Sequence, residues 1–166
     1  MMSRMLTPLA LGFWLAGSTA MAAAPQPSDA FRYFDGNWRC DGVFPSNGAK
    51  LSSTMSFHWS ASTGALEKQH DDLPPHGYYA VELWAGASHG EAQNMIADVT
   101  GGVRQFTSPG WIGDTLTWAR DIDATHKERF AYARLGPDTM RVDWATSSNG
   151  AAFTVGDTLT CTRGKS

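Results

Sequence analysis

The chain has two cysteines, Cys40 and Cys161, and they lie in its first and last strand-like segments. In an exported protein two such thiols are expected to pair, because the compartment is oxidising. A bridge between them would tie the first strand to the last, which is the connection that closes a sheet into a barrel. Closing so long a loop is worth about 3–5 kcal/mol by the loop-entropy relation. The alternative is two small buried side chains that do not meet.

The N-terminus carries the features of an export signal. Arg4 provides a positive charge, residues 6–15 form an apolar segment, and small residues lead up to Ala22. This order predicts a signal peptide over residues 1–22, cleaved after Ala22 with Ala24 as the alternative, and a periplasmic or secreted mature protein. The apolar segment is well short of the roughly 20 residues that a bilayer-crossing helix needs, so no membrane span is predicted.

The rest of the chain has the length of one domain. Residues 23–30 are predicted to be a flexible lead-in, and residues 31–166 a single β-barrel domain. The whole chain has 16 acidic and 13 basic side chains and a net charge of −3, which disfavours a nucleic-acid partner, since such partners need a basic surface. All but one of the seven tryptophans follow Ala22. So many aromatic side chains suit either a densely packed core or a cavity for an apolar ligand.

Short segments of alternating polarity, separated by Gly, Pro, Asn and Asp, run through the whole domain. Before them, Ser28 could cap a helical turn that presents Phe31 and Phe34 on one side. The predicted fold is therefore all-β, an antiparallel up-and-down barrel of about 8–10 strands after a short N-terminal helical turn. The predicted strands are residues 37–44, 50–59, 65–70, 78–84, 94–99, 103–107, 115–120, 128–134, 140–146 and 158–163.

The alternation also predicts which side chains face the barrel interior. In the fourth strand it groups Tyr79, Val81 and Leu83 on the inner face. Across all strands it gives an inner aromatic set and an inner polar set. Since small barrels fill themselves with side chains and larger ones leave room for a ligand, these sets are either packed core with ion pairs or a binding site. The predicted ligand-binding residues are Trp59, Tyr79, Gln105, Trp118, Arg120, Glu128, Tyr132, Arg134 and Trp144.

The segment from Phe34 to Gly42 reads FDGNWRCDG. It resembles the Gly-x-Trp opening of calycin-type barrels, a group that includes lipocalins and nitrobindin-like proteins. The spacing of the later Gly and Pro residues is similar to that of exported bacterial proteins of unknown function with this barrel. The resemblance implies that Trp38, which follows Gly36, plugs the closed end, and that Arg163 lies across its indole as a cation–π partner. It also implies a cavity that holds a ligand.

Nitrobindin-like proteins bind haem through a histidine near the C-terminus, and this chain departs from that pattern. No histidine follows His126, and the last strand offers Cys161 instead, so haem is not expected. The densest group of metal-ligating residue types is His-Asp-Asp at residues 70–72 with His76. Consecutive acids beside prolines are more typical of a solvated turn, so the sequence predicts no metal and no cofactor.

Together these observations predict an exported barrel that binds a small hydrophobic or amphipathic molecule, for carriage or sequestration without turnover. One alternative is an enzyme of the isomerase or cyclase type, in which polar groups of the cavity steer a reactive ligand. Another is an envelope interaction protein whose barrel is solid. Ser108 lacks the Gly-x-Ser-x-Gly frame of a nucleophile elbow. The sequence does not fix the oligomeric state.

Overall fold

A computed structural model describes residues 30–86 and 91–164. The predicted signal peptide and residues 23–29 of the predicted lead-in lie outside these residues. The described part consists of a 3-10 turn, Arg32–Phe34, followed by strands, and none of its helices has the length and apolarity that a bilayer crossing demands. The strands are β1 (Gly36–Val43), β2 (Lys50–Ser60), β3 (Ala65–Asp72), β4 (Tyr79–Ala85), β5 (Ala92–Asp98), β6 (Val103–Ser108), β7 (Trp111–Ile112), β8 (Thr115–Asp121), β9 (His126–Gly136), β10 (Thr139–Ser148) and β11 (Thr154–Arg163).

All strands except the two-residue β7 form one closed antiparallel ring, in which neighbours in sequence are neighbours in space. The ring closes at two junctions. β1 pairs with β11 along most of its length, whereas in the described part β6 joins β8 through a single residue pair, Thr107 with Ala119. The predicted all-β up-and-down barrel is confirmed.

The β1–β11 junction carries the disulfide. Cys40 and Cys161 stand directly opposite each other in the ladder and are bonded to each other. Both are fully buried, and 121 positions separate them in sequence. The predicted bridge is confirmed, and it links the first and last strands covalently.

One end of the barrel is filled with aromatic side chains. Phe31 and Phe34, from the turn before β1, are buried there. Their ring centres lie 5.9 and 4.9 Å from that of Trp84, both in edge-to-face packing. Phe31 also contacts Trp118, at 6.0 Å. Aromatic pairs of this kind stabilise a core beyond the effect of buried area alone, so this end of the barrel, here called the aromatic plug, is solid.

The start of β1 is anchored to the aromatic plug. The Trp38 indole nitrogen donates a hydrogen bond to the backbone oxygen of Phe34, at 2.7 Å. The guanidinium carbon of Arg163 lies 4.2 Å from the Trp38 ring centre, and the same guanidinium donates to the backbone oxygen of Tyr33 at 2.6 Å. Gly36 has φ = +109°, a conformation that side chains with a Cβ rarely adopt, and it turns the chain from the plug into β1.

Strand β4 faces the interior with the side opposite to the predicted one. Val81 and Leu83 are exposed, whereas Glu82 and Trp84 are buried. Tyr79 shares the outward phase of Val81, so its predicted inward position is wrong. The reason is that both faces of β4 carry apolar residues, and Glu82 on the inner face is paired with Lys68 of β3.

The same error occurs in β6. Gln105 is exposed, and its side chain hydrogen-bonds Gln93 of β5 on the outer surface of the barrel. Phe106 is fully buried, and Arg104 shares its inward phase. The predicted inward position of Gln105 is therefore wrong, because the long charged side chain of Arg104 is the one that finds carboxylate partners inside.

Candidate ligand-binding site

The half of the barrel away from the aromatic plug encloses a cavity of about 540 Å³. This volume falls in the range typical of small-molecule sites. The cavity extends to the β1–β2, β3–β4 and β5–β6 connections. Its apolar lining comes mainly from β2, β9, β10 and β11 and includes Leu51, Met55, Phe130, Val142 and Leu159.

Three of the predicted binding residues, Arg120, Tyr132 and Trp144, line this cavity. Glu128 is buried and bonds to two of its lining residues, Arg120 and Trp144. Four of the nine predicted residues, Arg120, Glu128, Tyr132 and Trp144, are thus brought together on β8, β9 and β10. Trp118 belongs instead to the aromatic plug.

Two further predicted residues lie elsewhere in the barrel. Arg134 stacks on Trp111, with its guanidinium carbon 3.6 Å from a ring centre of the indole. Trp59 is half-buried and packs against the edge of the core. The structure places both in packing contacts.

The first polar group of the site surrounds Glu128, which is 3% exposed. Its carboxylate accepts hydrogen bonds from Arg104 Nη1 at 2.7 Å, Arg120 Nε at 2.6 Å and Trp144 Nε1 at 2.9 Å. Arg104 also donates to the Tyr78 hydroxyl at 2.8 Å. Charge-assisted bonds of this kind are roughly twice as strong as neutral ones, so Glu128 holds both guanidinium groups against the cavity.

These arginines keep hydrogen-bond donors in reserve. The Nε of Arg104 is buried and has no partner among the described residues. Arg120 uses its Nε for Glu128, and its two terminal nitrogens have no hydrogen-bond partner within the described ranges. The Arg120 nitrogens belong to a partly exposed side chain that lines the cavity, so an acceptor placed there would find donors already oriented.

The second polar group lies deeper, between the cavity and the aromatic plug. Lys68 and Glu82 are 2% and 3% exposed, and their nitrogen and oxygen are 2.6 Å apart. Glu82 also accepts bonds from Trp84 Nε1 and Asn94 Nδ2, both at 2.8 Å. Burial alone would raise the pKa of Glu82, but Lys68 and these hydrogen bonds lower the pKa below its ordinary value.

The third polar group lies near the cavity mouth on β2 and β3. His70 Nε2 lies 3.0 Å from an Asp72 oxygen, which also accepts a hydrogen bond from Ser53 at 2.5 Å. Burial lowers the pKa of His70, although its bond to Asp72 opposes this. The imidazole is therefore neutral at pH 7, and Asp72 fixes its orientation.

Asp157, on β11, also lines the cavity. Burial, together with repulsion from Asp72 and Asp143, raises the pKa of Asp157 to about 6. In the unfolded chain an aspartate ionises near pH 3.9. The folded state therefore holds a proton that the unfolded chain releases. This contribution to stability is present below about pH 4 and is lost as the pH rises through about 6.

Replacing Asp157 by asparagine should therefore stabilise the protein more at about pH 8 than at about pH 4.5, since asparagine stays neutral throughout. Thermal unfolding followed by circular dichroism at both values measures the difference. Asp71→Asn, at an exposed position of β3, is the matched control. Its effect on stability should not be larger at about pH 8 than at about pH 4.5. An effect of Asp157→Asn that is equal at both pH values would contradict this assignment.

Trp144 supplies an indole to the cavity wall because the neighbouring strand has no side chain at Gly156. A Cβ at that position would lie 2.3 Å from the indole carbons. The ring rests on the backbone of β11, and its nitrogen bonds Glu128. Among the described tryptophans, Trp144 is the one that lines this cavity, so its fluorescence reports on what the cavity holds.

The histidines considered as metal ligands have other partners. His70 bonds Asp72, and His76 Nε2 lies 2.9 Å from the backbone oxygen of Lys50. Within residues 30–86 and 91–164, no group of three or more His, Cys, Asp or Glu side chains is arranged to hold a metal ion.

Several polar residues of the site are absent from the predicted set, among them Tyr78, Glu82, Arg104 and Asp157. Each is a single polar residue within a strand or at its end, which by itself looks like an exposed position. A search for lysine, arginine and carboxylate residues in the same alternation phase on neighbouring strands could have found Glu82 opposite Lys68, which pair in the β3–β4 ladder.

No protein-family profile matches this chain, and no curated protein sequence matches it. Fourteen chains of solved structures do match. One is the crystal structure of Rv2717c from M. tuberculosis, with a TM-score of 0.61 and 12% sequence identity. The match covers 84% of this chain and 100% of that chain. At this identity the likeness concerns the barrel fold alone.

Proposed function

We propose that this protein is an exported, calycin-like barrel that binds a small amphipathic molecule for carriage or sequestration. The observation that carries the proposal is the cavity of about 540 Å³, which joins an apolar wall to the Arg120 guanidinium, whose terminal nitrogens have no hydrogen-bond partner among the described residues. A solid barrel acting as an envelope interaction protein is disfavoured by the same cavity. An isomerase or cyclase is the alternative, because neutral His70 and Asp157, with its raised pKa, line one cavity.

The donors identify the head group of the ligand. Arg104 and Arg120 are balanced by Glu128 and Asp98, so the cluster is formally neutral. This cluster therefore offers a ligand oriented N–H groups and no net positive charge. The fitting head group is an oxygen acceptor, such as a carboxylate, an ester or a carbonyl. The apolar part of the ligand would lie against the wall that includes Leu51.

Binding can be measured through tryptophan fluorescence. Dodecanoic acid and dodecanol, added separately, should quench the wild-type emission, because Trp144 lines the cavity. Trp144→Phe should remove most of this quenching, whereas Trp59→Phe, at a half-buried position outside the cavity lining, should keep it. Native mass spectrometry should show one bound molecule per chain.

The head-group assignment has its own matched pair of variants. Arg120→Gln should weaken dodecanoic acid binding by about tenfold or more, as expected for one charge-assisted hydrogen bond. Arg141→Gln, an exposed arginine of β10, should leave binding unchanged. Absence of quenching across a library of lipophiles, or equal quenching in Trp144→Phe, would refute the proposal.

Export is supported by the N-terminal charge and apolar segment together with the disulfide. Disulfides persist mainly outside the reducing cytosol. Full-length protein expressed in a bacterium should be recovered from the periplasm or medium, and its N-terminal sequence should begin after Ala22. Recovery in the cytosol with residues 1–22 intact would contradict export.

A further inference from the structure

Lys68 is a buried amine at the cavity surface, and the proposed function gives it no role. It lines the cavity, yet its side chain is 2% exposed. Lysine is almost never fully buried unless it is paired, and a buried ion pair is by itself weak evidence for stability. Of the described lysines, Lys50 and Lys127 are exposed, so Lys68 is the lysine set apart by its surroundings.

The hydrogen bonds around Lys68 leave two donors free. Its ammonium group has three N–H bonds, of which one goes to Glu82 at 2.6 Å and one to the Tyr132 hydroxyl at 2.9 Å. The third has no acceptor among the described residues. Tyr132 accepts from Lys68, and its own O–H likewise has no acceptor there. Burial raises the pKa of Tyr132 well above its ordinary value, so the hydroxyl keeps its proton.

A tyrosine hydroxyl with a free proton, 2.9 Å from an amine, fits a carbonyl group. The carbonyl oxygen can accept from the Tyr132 hydroxyl, which brings the carbonyl carbon next to the Lys68 nitrogen. Lysine amines form Schiff bases with carbonyl compounds. We propose that Lys68 captures the aldehyde end of an aliphatic ligand as a Schiff base, with Glu82 as its counter-ion. This inference rests on the proposed function, because the aldehyde occupies the same cavity.

The step balances without an oxidant or reductant. Glu82 takes one proton from the ammonium group, and the freed nitrogen lone pair attacks the carbonyl carbon to form the C–N bond. The oxygen takes the Tyr132 proton, and Tyr132 regains one from the nitrogen, which gives a neutral carbinolamine. Glu82 then returns its proton to the hydroxyl, which leaves as water. Ammonium and aldehyde thus become protonated imine and water, with one positive charge on each side.

The surroundings suit a cation before and after this reaction. The ring centres of Phe57, Trp84 and Tyr132 lie 5.9, 6.0 and 5.4 Å from Nζ, within the distance at which aromatic faces stabilise cations. Glu82 is fixed by Trp84 and Asn94, so the counter-ion is in place before the ligand arrives. The low exposure of Lys68 also keeps out the water that would hydrolyse the imine.

The test uses decanal with sodium cyanoborohydride, which reduces an imine to a stable secondary amine. Intact-mass analysis of the wild-type protein should show one added decyl group. Peptide mapping should place it on Lys68, at a rate at least about tenfold above Lys50 or Lys127, because a bound carbonyl reacts as if at high local concentration. Lys127→Arg should keep the adduct, and Lys68→Arg should lose it.

The wild-type comparison among lysines needs no variant, so it stands even if Lys68→Arg fails to fold. Decanol is added in parallel, since it can fill the cavity and quench Trp144 but cannot form an imine. Quenching by decanol without preferential labelling of Lys68 would overturn this inference and leave the proposed function standing. Absence of both would overturn the two together. Equal labelling of all lysines, or labelling that persists in Lys68→Arg, would also refute the inference.

Discussion

Replacing Lys68 by methionine should lower the free energy of unfolding by about 3–5 kcal/mol, because the Glu82 carboxylate is left buried without its cation. Both side chains are nearly inaccessible, and the remaining partners of Glu82, Trp84 and Asn94, are neutral. Urea denaturation at neutral pH gives the value. Lys127→Met, which removes an exposed lysine 3.1 Å from Asp121, should change stability by no more than about 1 kcal/mol.

A second variant separates charge from packing. Lys68→Met combined with Glu82→Gln should recover much of the loss, since the glutamine oxygen can still accept from Trp84 and Asn94. The cost of Lys68→Met alone should also shrink in acid. The pKa of Glu82 is lowered in the native protein, so its contribution to stability is present at neutral pH and is lost as Glu82 protonates. A cost below about 1 kcal/mol at neutral pH would show that the ion pair is not formed.

Removing the disulfide should cost about 3–5 kcal/mol, because the bridge closes a very long loop in the unfolded chain. Cys40→Ala combined with Cys161→Ala is the suitable variant, since both positions are fully buried and a serine hydroxyl would add its own penalty. Urea denaturation of the wild type with and without reductant should show the same difference. The double variant should be insensitive to reductant. Two reactive thiols in denatured, unreduced wild-type protein would contradict the bridge.

Much of the architecture could be predicted because the local signals agreed with one another. Each predicted strand corresponds to a strand of the barrel, since Gly, Pro, Asn and Asp mark the turns of nearly every hairpin. The disulfide could be predicted from the positions of Cys40 and Cys161 together with the predicted export signal. Phe31 and Phe34 face the core as their spacing predicted. These features depend on short segments or on the two ends of the chain.

The inner faces of β4 and β6 could not be predicted in the same way. Val81, Leu83, Met95 and Val103 form apolar positions on the outer surface, so alternation alone favours the wrong face. Some of the polar groups inside have partners far along the chain. Arg104, for example, meets Glu128 across the β6–β8 junction. Such pairs become visible only once the register of the whole ring is known.

The candidate site could be predicted only in part, because alternation along a strand indicates the inner face of the sheet and nothing more. Arg120, Tyr132 and Trp144 lie on strands whose alternation is unambiguous, and they line the cavity. Trp118 lies on the same strand and in the same phase as Arg120, but it packs among the rings of the plug. Alternation gives the side of the sheet on which a residue stands. It does not give the height along the barrel, which decides whether an inward side chain meets solid core or open space.

The two junctions of the ring differ in a way that bears on how the proposed ligand would enter the cavity. A covalent bond fixes β1 to β11, whereas, over the residues that the structure describes, a single ladder pair joins β6 to β8. We therefore expect thermal breathing of the wall to concentrate at β6–β8. Arg104 and Arg120 stand on either side of that gap, and both grip Glu128. Entry of the proposed ligand through this junction would stretch those ion pairs. The arginines proposed to bind its head group would therefore also resist the opening of the junction.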